Sequence, residues 1–210
     1  MDMDNDAMIA ALAEMSTATL SDAMFRMGHK NGTMRHAIKP VDPAMKLHGP
    51  ACTAHAYPGG TYATGLALSA ANPGEVIVID AQGWLGAVMW GEICSLQALA
   101  GGIAGAVIDG AVRDIAEVIE LGFPLFAAGI TPAAGTGDKL GEVNIPIQCG
   151  GVVVRPGDLI FGDVLGVVVV PPEELGDVHD WCGKVLEKEE QIKADLQTKL
   201  AHRWAGGDTP

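Results

Sequence analysis

The feature that most constrains this chain is its punctuation. Beyond Met27, glycine or proline falls nearly every ten to fifteen residues, and the runs between are short and rich in Val and Ile: Val76 to Ile79, Ala106 to Ile108, Val152 to Val154 and Val167 to Val170. Runs of that length and composition predict short buried strands. Tyr62 to Ala71, Ile93 to Ala100 and Ile115 to Leu121 lie between them and carry apolar residues compatible with one buried helical face. Ahead of them, Met8 to Met27 has helical spacing interrupted at Ser16 and Thr17, which predicts two short helices, the second starting near Thr19. The mixture predicts an α/β core. With 210 residues, 49% of them apolar, and no low-complexity linker, one domain spanning residues 1–210 is expected.

Two stretches echo each other. Pro73-Gly74-Glu75 precedes Val76 to Asp80, and Pro156-Gly157-Asp158 precedes Leu159 to Asp163. Each Pro-Gly pair suits the centre of a type II turn that launches a strand ending in an acid. The stretch from Glu173 to about Leu200 differs from everything before it in being charged, glycine-poor and helical in composition. Its apolar positions Leu175, Val178, Cys182, Val185, Ile192, Leu196 and Leu200 follow one stripe, and Glu189 fills the step between Val185 and Ile192. A carboxylate on an apolar stripe must be solvated, paired or bound. Glu189 is therefore either half of a structural salt bridge or a functional group.

A formal net charge of −13 argues against nucleic acid or an anionic membrane as the main partner, since both reward clustered Lys and Arg. It leaves room for a small anionic substrate held by local cations or a metal. Cys52, Cys94, Cys149 and Cys182 form no C-x-x-C pair, so they are expected to be four isolated buried thiols. Met1 to Asp6 holds three aspartates and no basic residue, the wrong polarity for a secretory signal, and no apolar run is long enough to span a bilayer. A cytoplasmic location is expected.

Charged groups that could carry chemistry concentrate in two places. Gly91-Glu92-Ile93-Cys94 opens a helix-like segment after a glycine-rich, tryptophan-containing stretch, Gly83 to Trp90, expected to be a loop. Unsatisfied backbone N–H groups at such a start attract a carboxylate or phosphate. The strand Gly105 to Ile108 runs into Asp109-Gly110-Ala111-Val112-Arg113-Asp114, which sets Arg113 and Asp114 at the end of a buried strand, where α/β proteins build sites. By themselves these two residues fit a local ion pair and helix cap as well as catalysis.

The arrangement of Glu92, twenty intervening residues and Arg113-Asp114-x-x-Glu117 resembles the signature of the class II pyruvate aldolases acting on 4-hydroxy-4-methyl-2-oxoglutarate and 4-carboxy-4-hydroxy-2-oxoadipate. That family also contains regulators of ribonuclease E activity. The similarity extends through Thr19-Leu20-Ser21-Asp22-Ala23, Gly49-Pro50-Ala51, Pro73-Gly74-Glu75-Val76, Val107-Ile108-Asp109-Gly110, Gly150-Gly151-Val152, Pro156-Gly157-Asp158 and Gly162-Asp163 with Gly166 to Pro171. It implies a swivelling β/β/α fold with N-terminal helices and a C-terminal helix, assembled as a homo-oligomer, a trimer or a dimer of trimers, with active sites between subunits. It places the metal-binding acid on Asp114, the substrate-binding arginine on Arg113 and a supporting acid on Glu92. Gly91 and the backbone amides of Ile93 and Cys94 would receive the pyruvyl carboxylate. A further acid would come from a neighbour's C-terminal helix, about residues 173–200, and Glu189 is the candidate. Two departures bear on the distal substrate group: Pro58-Gly59-Gly60-Thr61 stands where many relatives read Pro-Gly-Asp-Asn, and Val164-Leu165 replaces an acid common after Gly-Asp.

The implied reaction is retro-aldol cleavage of a small 4-hydroxy-2-oxo acid to pyruvate and a second carbonyl compound, with oxaloacetate decarboxylation as a related activity. Mg²⁺ or Mn²⁺ would chelate the carboxylate and keto oxygens, Arg113 would stabilise the developing enolate, and a water positioned by Glu92 and Glu189 would accept the C4 hydroxyl proton. A Schiff-base mechanism has less support, because none of the eight lysines stands in an apolar strand pattern, although Lys139 is not excluded on that ground. The six histidines form no H-x-H or H-x-x-x-H pair, and neither a P-loop nor a dinucleotide fingerprint is present. The alternative from another class is a non-catalytic regulator that binds a ribonuclease or other protein partner.

Overall fold

The computed structural model describes residues 4–29, 31–137 and 140–205; Lys139 lies outside them. Two helices come first, α1 (Asn5–Ala13) and α2 (Thr17–Arg26). The Ser16 hydroxyl oxygen accepts the Thr19 backbone N–H at 3.2 Å, so Ser16 caps α2 and the helix starts at Thr17, two residues ahead of the expected position. There follow β1 (Lys39–Pro40), β2 (Leu47–Ala56), α3 (Tyr62–Ala70), β3 (Val76–Trp90), α4 (Glu92–Ala100), β4 (Gly105–Val112), α5 (Ile115–Leu121) and β5 (Leu125–Ile130). The chain continues through β6 (Gly141–Val143), the hairpin β7 (Ile147–Cys149) and β8 (Val152–Val154), then β9 (Leu159–Asp163) and β10 (Gly166–Val170). A 3-10 turn, Pro172–Glu174, leads into α6 (Leu175–Ala205).

The main sheet has the order β1-β5-β4-β3-β2-β9-β10, with β6 pairing β2. Strands β2 to β5 are parallel neighbours, and β1, β9 and β10 join antiparallel. Parallel neighbours need crossovers, which α3, α4 and α5 supply. The sheet curls strongly. A side chain on Gly162 of β9 would meet the Phe126 ring of β5 at 2.9 Å, although β2, β3 and β4 stand between these strands in the hydrogen-bonded order.

Curling explains why the strand sequences are continuously apolar rather than alternating. Val76, Val78, Val107, Phe126, Ile160, Val167 and Val169 point to the inside of the curl, over the β7–β8 hairpin. Their neighbours Ile77, Ile79, Ile108 and Leu125 point outward against α3, α4 and α5. On β9 and β10 the outward residues Leu159, Phe161, Val168 and Val170 pack under α1, α2 and α6. Both faces are buried, so a one-residue slip would exchange two different apolar environments. Each fully buried Val, Ile or Leu contributes about 1.5–3 kcal/mol.

The two Pro-Gly turns are structurally alike. Glu75 N–H donates to Asn72 and Asp158 N–H to Arg155, both at 3.1 Å, with φ of +84° at Gly74 and +86° at Gly157. They deliver β3 and β9 to opposite sides of β2, at Ala51 and Pro50. At the far end of β9, Asp163 accepts the Thr17 backbone N–H at 2.8 Å, the Thr17 hydroxyl at 2.7 Å and the Leu165 N–H at 2.8 Å, tying the start of α2 to the sheet. Burial alone would raise this carboxyl, but the Thr17, Leu165 and Gly166 donors outweigh it and hold it below its ordinary value.

Three expectations are corrected. Gly83 to Trp90 is not a loop but the second half of β3, paired with β4 through register shifts after Asp80, Trp84 and Val88. Glycines in a strand mark bulges as readily as loops, and here Gln82 and Gly83 take φ of 58° and 69° where the irregularity begins. Cys52, Cys149 and Cys182 are buried free thiols, but Cys94 is only partly buried. The stripe on α6 divides: Leu175, Val178, Cys182 and Val185 are buried, whereas Ile192, Leu196 and Leu200 are 49%, 51% and 54% exposed. The helix also runs past Leu200 to Ala205. Among the described residues no helix is long and apolar enough to cross a membrane.

Candidate active site

The site is built where β3 and β4 end. Trp90, the last residue of β3, stacks on Phe123 with ring centroids 5.8 Å apart and planes 9° from parallel. Its indole N–H donates to the Ser95 hydroxyl at 3.0 Å, and that hydroxyl donates to the Gly91 carbonyl at 3.1 Å. The Arg113 N–H donates to the Trp90 carbonyl at 3.0 Å. A buried aromatic and a satisfied serine thus fix the backbone that starts α4, and Arg113 is hung directly beside it.

Asp114 follows with φ 56° and ψ 43°, a left-handed conformation that costs a non-glycine residue about 1–3 kcal/mol. It occupies the N-cap position of α5, yet its side chain makes no cap bond there. Instead Oδ2 turns toward α4, accepting the Glu92 backbone N–H at 3.2 Å and Arg113 Nε–H at 3.3 Å. The geometry keeps the ion pair of the structural reading and rejects the helix cap. Gly91 is needed for space rather than for its φ of −162°: a Cβ there would lie 2.6 Å from Asp114 Oδ2 and 3.2 Å from Arg113 Cγ.

These groups line a cleft of about 260 Å³ between α3 and α4. Of the expected site residues, Gly91, Ile93, Cys94, Arg113 and Asp114 are in its wall. Glu92 sits half-buried at the first turn of α4 and touches Asp114 through its backbone, and Glu117 is exposed on α5. Glu189 is not in the cleft of its own chain; it pairs with Lys193 at 3.3 Å one turn along α6. Sequence reasoning missed Thr64 and Leu68 on α3 and Gln97 on α4, which also line the cleft; Thr61, just ahead of α3, was singled out only as part of the departure at Pro58 to Thr61. Helical spacing puts Thr61, Thr64 and Leu68 on one face, but only the fold shows that this face meets the end of β4.

The Arg113 and Asp114 side chains are 44% and 33% exposed, so the pair is open to a ligand rather than sealed. Burial pushes the Cys94 thiol above its ordinary value, an effect that the Gly91 backbone and Arg113 offset in part. Asp114 Oδ1 accepts no hydrogen bond among the described residues. No group of three or more His, Cys, Asp or Glu among the described residues is placed to hold a metal. Asp114, which lines the cleft, keeps one carboxylate oxygen without a hydrogen bond among the described residues, and an oxygen of that kind would suit a hard cation that keeps several waters.

A family model described as RraA-like, Aldolase/RraA, matches residues 17–169, a span that includes the whole cleft. The chain belongs to the RraA-like family. A Halalkalibacterium halodurans protein named "Putative 4-hydroxy-4-methyl-2-oxoglutarate aldolase" is 38% identical over 191 residues, covering 91% of this chain and 86% of that protein. Among solved structures, Streptomyces coelicolor RraAS2, described as an unusual member of the RNase ES inhibitor RraA protein family, superposes with a TM-score of 0.80 at 27% identity, covering 92% of this chain and 98% of that one. A protein of Pseudomonas syringae pv. tomato DC3000 gives a TM-score of 0.77 at 29% identity, covering 97% and 94%. The mixed α/β fold with N-terminal helices, a central sheet and a long C-terminal helix is the RraA-like fold.

Proposed function

We propose that this RraA-like protein is a divalent-metal-dependent lyase that splits a 4-hydroxy-2-oxo acid into pyruvate and a second carbonyl compound. The observation that carries this reading is Asp114, held in a strained left-handed conformation with one carboxylate oxygen open to the cleft beside Arg113. Strain of that kind persists where the surroundings over-determine it, and a protein that needed only a binding surface would gain nothing from it. The name borne by the 38% identical relative supports the same reaction class.

Asp114 would hold Mg²⁺ or Mn²⁺. The cation, when bound, supplies the electron sink for the carboxylate and keto oxygens of a 2-oxo acid. The N–H groups at the start of α4, at Ile93 and Cys94, receive the substrate carboxylate, and the planar guanidinium of Arg113 sets positive charge beside the oxygen on which the enolate develops. A water oriented by Glu92 and by a neighbour's Glu189 takes the C4 hydroxyl proton; the C3–C4 bond breaks, C4 becomes a carbonyl and C3 regains a proton as pyruvate forms. Oxaloacetate decarboxylation proceeds through the same enolate. The exposed apolar residues Ile192, Leu196 and Leu200 on α6, uncovered by their own chain, support a homo-oligomer, a trimer or dimer of trimers, that brings Glu189 to a neighbouring cleft.

A second reading, a non-catalytic regulator of a ribonuclease, is favoured by the likeness to RraAS2. One assay separates them: pyruvate release from a panel of 4-hydroxy-2-oxo acids and from oxaloacetate, with EDTA and with added Mg²⁺ or Mn²⁺. Metal-restored release supports the lyase. No release from any substrate leaves the binding protein, and full release after chelation overturns the metal-dependent mechanism.

A further inference from the structure

The hydrogen bonds at the start of α4 form one continuous chain that ends on Asp114. Trp90 Nε1–H donates to the Ser95 hydroxyl at 3.0 Å. An indole nitrogen can only donate, so the hydroxyl sends its own proton onward, to the Gly91 carbonyl at 3.1 Å. That carbonyl belongs to the same peptide unit as the Glu92 N–H, which donates to Asp114 Oδ2 at 3.2 Å. In a trans peptide the two groups point in opposite directions. Ser95 therefore grips one side of a flat unit whose other side holds the carboxylate.

A helical serine often bonds the carbonyl four residues back, and the Ser95 backbone N–H reaches the same Gly91 oxygen at 3.1 Å. Two features separate this serine from that habit. Its hydroxyl is fixed from behind by a buried indole, Trp90 being 1% exposed and Ser95 0%. The carbonyl it helps to saturate polarises its own peptide N–H into a stronger donor, and that donor is aimed at Asp114. The Trp90 carbonyl also takes the Arg113 N–H at 3.0 Å, so both members of the ion pair hang from this one residue. We infer that Ser95 is a positioning residue for Asp114: it holds the Gly91–Glu92 peptide, and through it Oδ2, so that the carboxylate keeps one orientation in the cleft. A fully buried hydroxyl reaches no ligand, so its effect on a bound cation passes through Asp114. The consequence for a cation rests on the proposed function; the placement of the carboxylate does not.

Crystal structures of the metal-free chain and calorimetry with Mn²⁺ test it. In Ser95→Ala, Asp114 Oδ2 should leave the Glu92 N–H, moving beyond about 3.5 Å, and Mn²⁺ affinity should fall about tenfold, the lower end of what groups behind a metal ligand contribute. Ser95→Thr, which keeps the hydroxyl, should retain the contact and the affinity. Adding Ser95→Ala to Asp114→Asn should cost no further affinity, because the carboxylate through which Ser95 acts is already gone. An unmoved carboxylate or native Mn²⁺ affinity in folded Ser95→Ala, equal losses in Ser95→Ala and Ser95→Thr, or an undiminished loss in the Asp114→Asn background overturns the inference. Should Ser95→Ala fail to fold, Trp90→Phe takes its place, removing the indole N–H while keeping a ring against Phe123, and an unmoved carboxylate there is equally fatal. If the native chain binds no Mn²⁺, the proposed function falls, and the position of Asp114 in the variant decides the inference alone.

Discussion

Asp114 and Asp163 stand at the ends of two strands of one sheet and have opposite fates. Asp163 is 8% exposed, accepts three hydrogen bonds at 2.7–2.8 Å and seals the junction between β9 and the start of α2. Asp114 sits two residues beyond β4 in a left-handed backbone, makes two longer contacts of 3.2 and 3.3 Å, and keeps one oxygen open. The same side chain is a structural tie where the chain supplies every donor, and an open carboxylate, the one proposed for chemistry, where the chain withholds them. Donor supply, rather than position at a strand end, separates the two roles.

The sharpest way to break this contrast is to remove the charge from each. Asp114→Asn should lower kcat/KM for pyruvate release by about a thousandfold, a loss of about 4 kcal/mol of transition-state stabilisation, while the urea midpoint barely moves. Near-native turnover would remove Asp114 from the chemistry. Asp163→Ala should do the reverse, costing about 3 kcal/mol of stability because the two buried Thr17 donors and the part-buried Leu165 N–H lose a charged acceptor, with activity per folded molecule retained. The pH dependence follows with a definite sign. The folded carboxyl of Asp163 lies below its unfolded value, so its stabilisation is complete above the unfolded value and is lost as pH falls through the folded one. Asp163→Asn should flatten that acid limb of the unfolding curve, and an unaltered limb would show that the Thr17 bonds do not favour the ionised form.

Gly91→Ala tests how closely the open site is packed. The added methyl must displace the Asp114 carboxylate by several tenths of an ångström or more, because a Cβ on residue 91 would lie 2.6 Å from Oδ2. Displacements approaching 1 Å cost about a hundredfold in rate, so kcat should fall by up to that factor with a smaller change in folding stability. Unchanged kinetics would mean that the carboxylate is free to move and that its strained backbone has no positioning role.

Much of the scaffold was readable because its signals are local. Ser16 as a cap, the Pro-Gly turns at 73–74 and 156–157, and the Val-rich runs each act within a few residues, and each element formed near where it was expected. The bulged half of β3 was misread because glycines at 83 and 86 serve a bulge and a loop equally well. The cleft was legible on one side only. Arg113-Asp114 carries a motif, whereas Thr64, Leu68 and Gln97 reach it through crossovers whose meeting point depends on how β3 and β4 are paired. Asp163 also looked like an echo of Asp80, and nothing in sequence distance shows that Thr17, 146 residues away, is its partner.

Glu189 extends the comparison to a third carboxylate, and it carries the smallest expected effect on folding. Within its own chain it has one ion pair, with exposed Lys193 at 3.3 Å in i,i+4 spacing, and its side chain is 43% exposed. Such a pair contributes about 0.3–0.5 kcal/mol, so Glu189→Ala and Lys193→Ala should each leave the unfolding midpoint almost unchanged. If Glu189 acts only through that pair, the two variants will behave alike in turnover as well. If it serves a neighbour's cleft, Glu189→Ala alone will lose pyruvate release, whereas Lys193→Ala and the polar-face variants Glu187→Ala and Glu190→Ala will keep it. Co-expressing Glu189→Ala with Arg113→Ala then decides the geometry, because a mixed assembly can join an intact Arg113 from one chain to an intact Glu189 from another. Recovered activity in verified hetero-oligomers places Glu189 with Asp114 among the carboxylates left open for chemistry; no recovery, or native turnover in Glu189→Ala, places it with the ordinary surface pairs of α6.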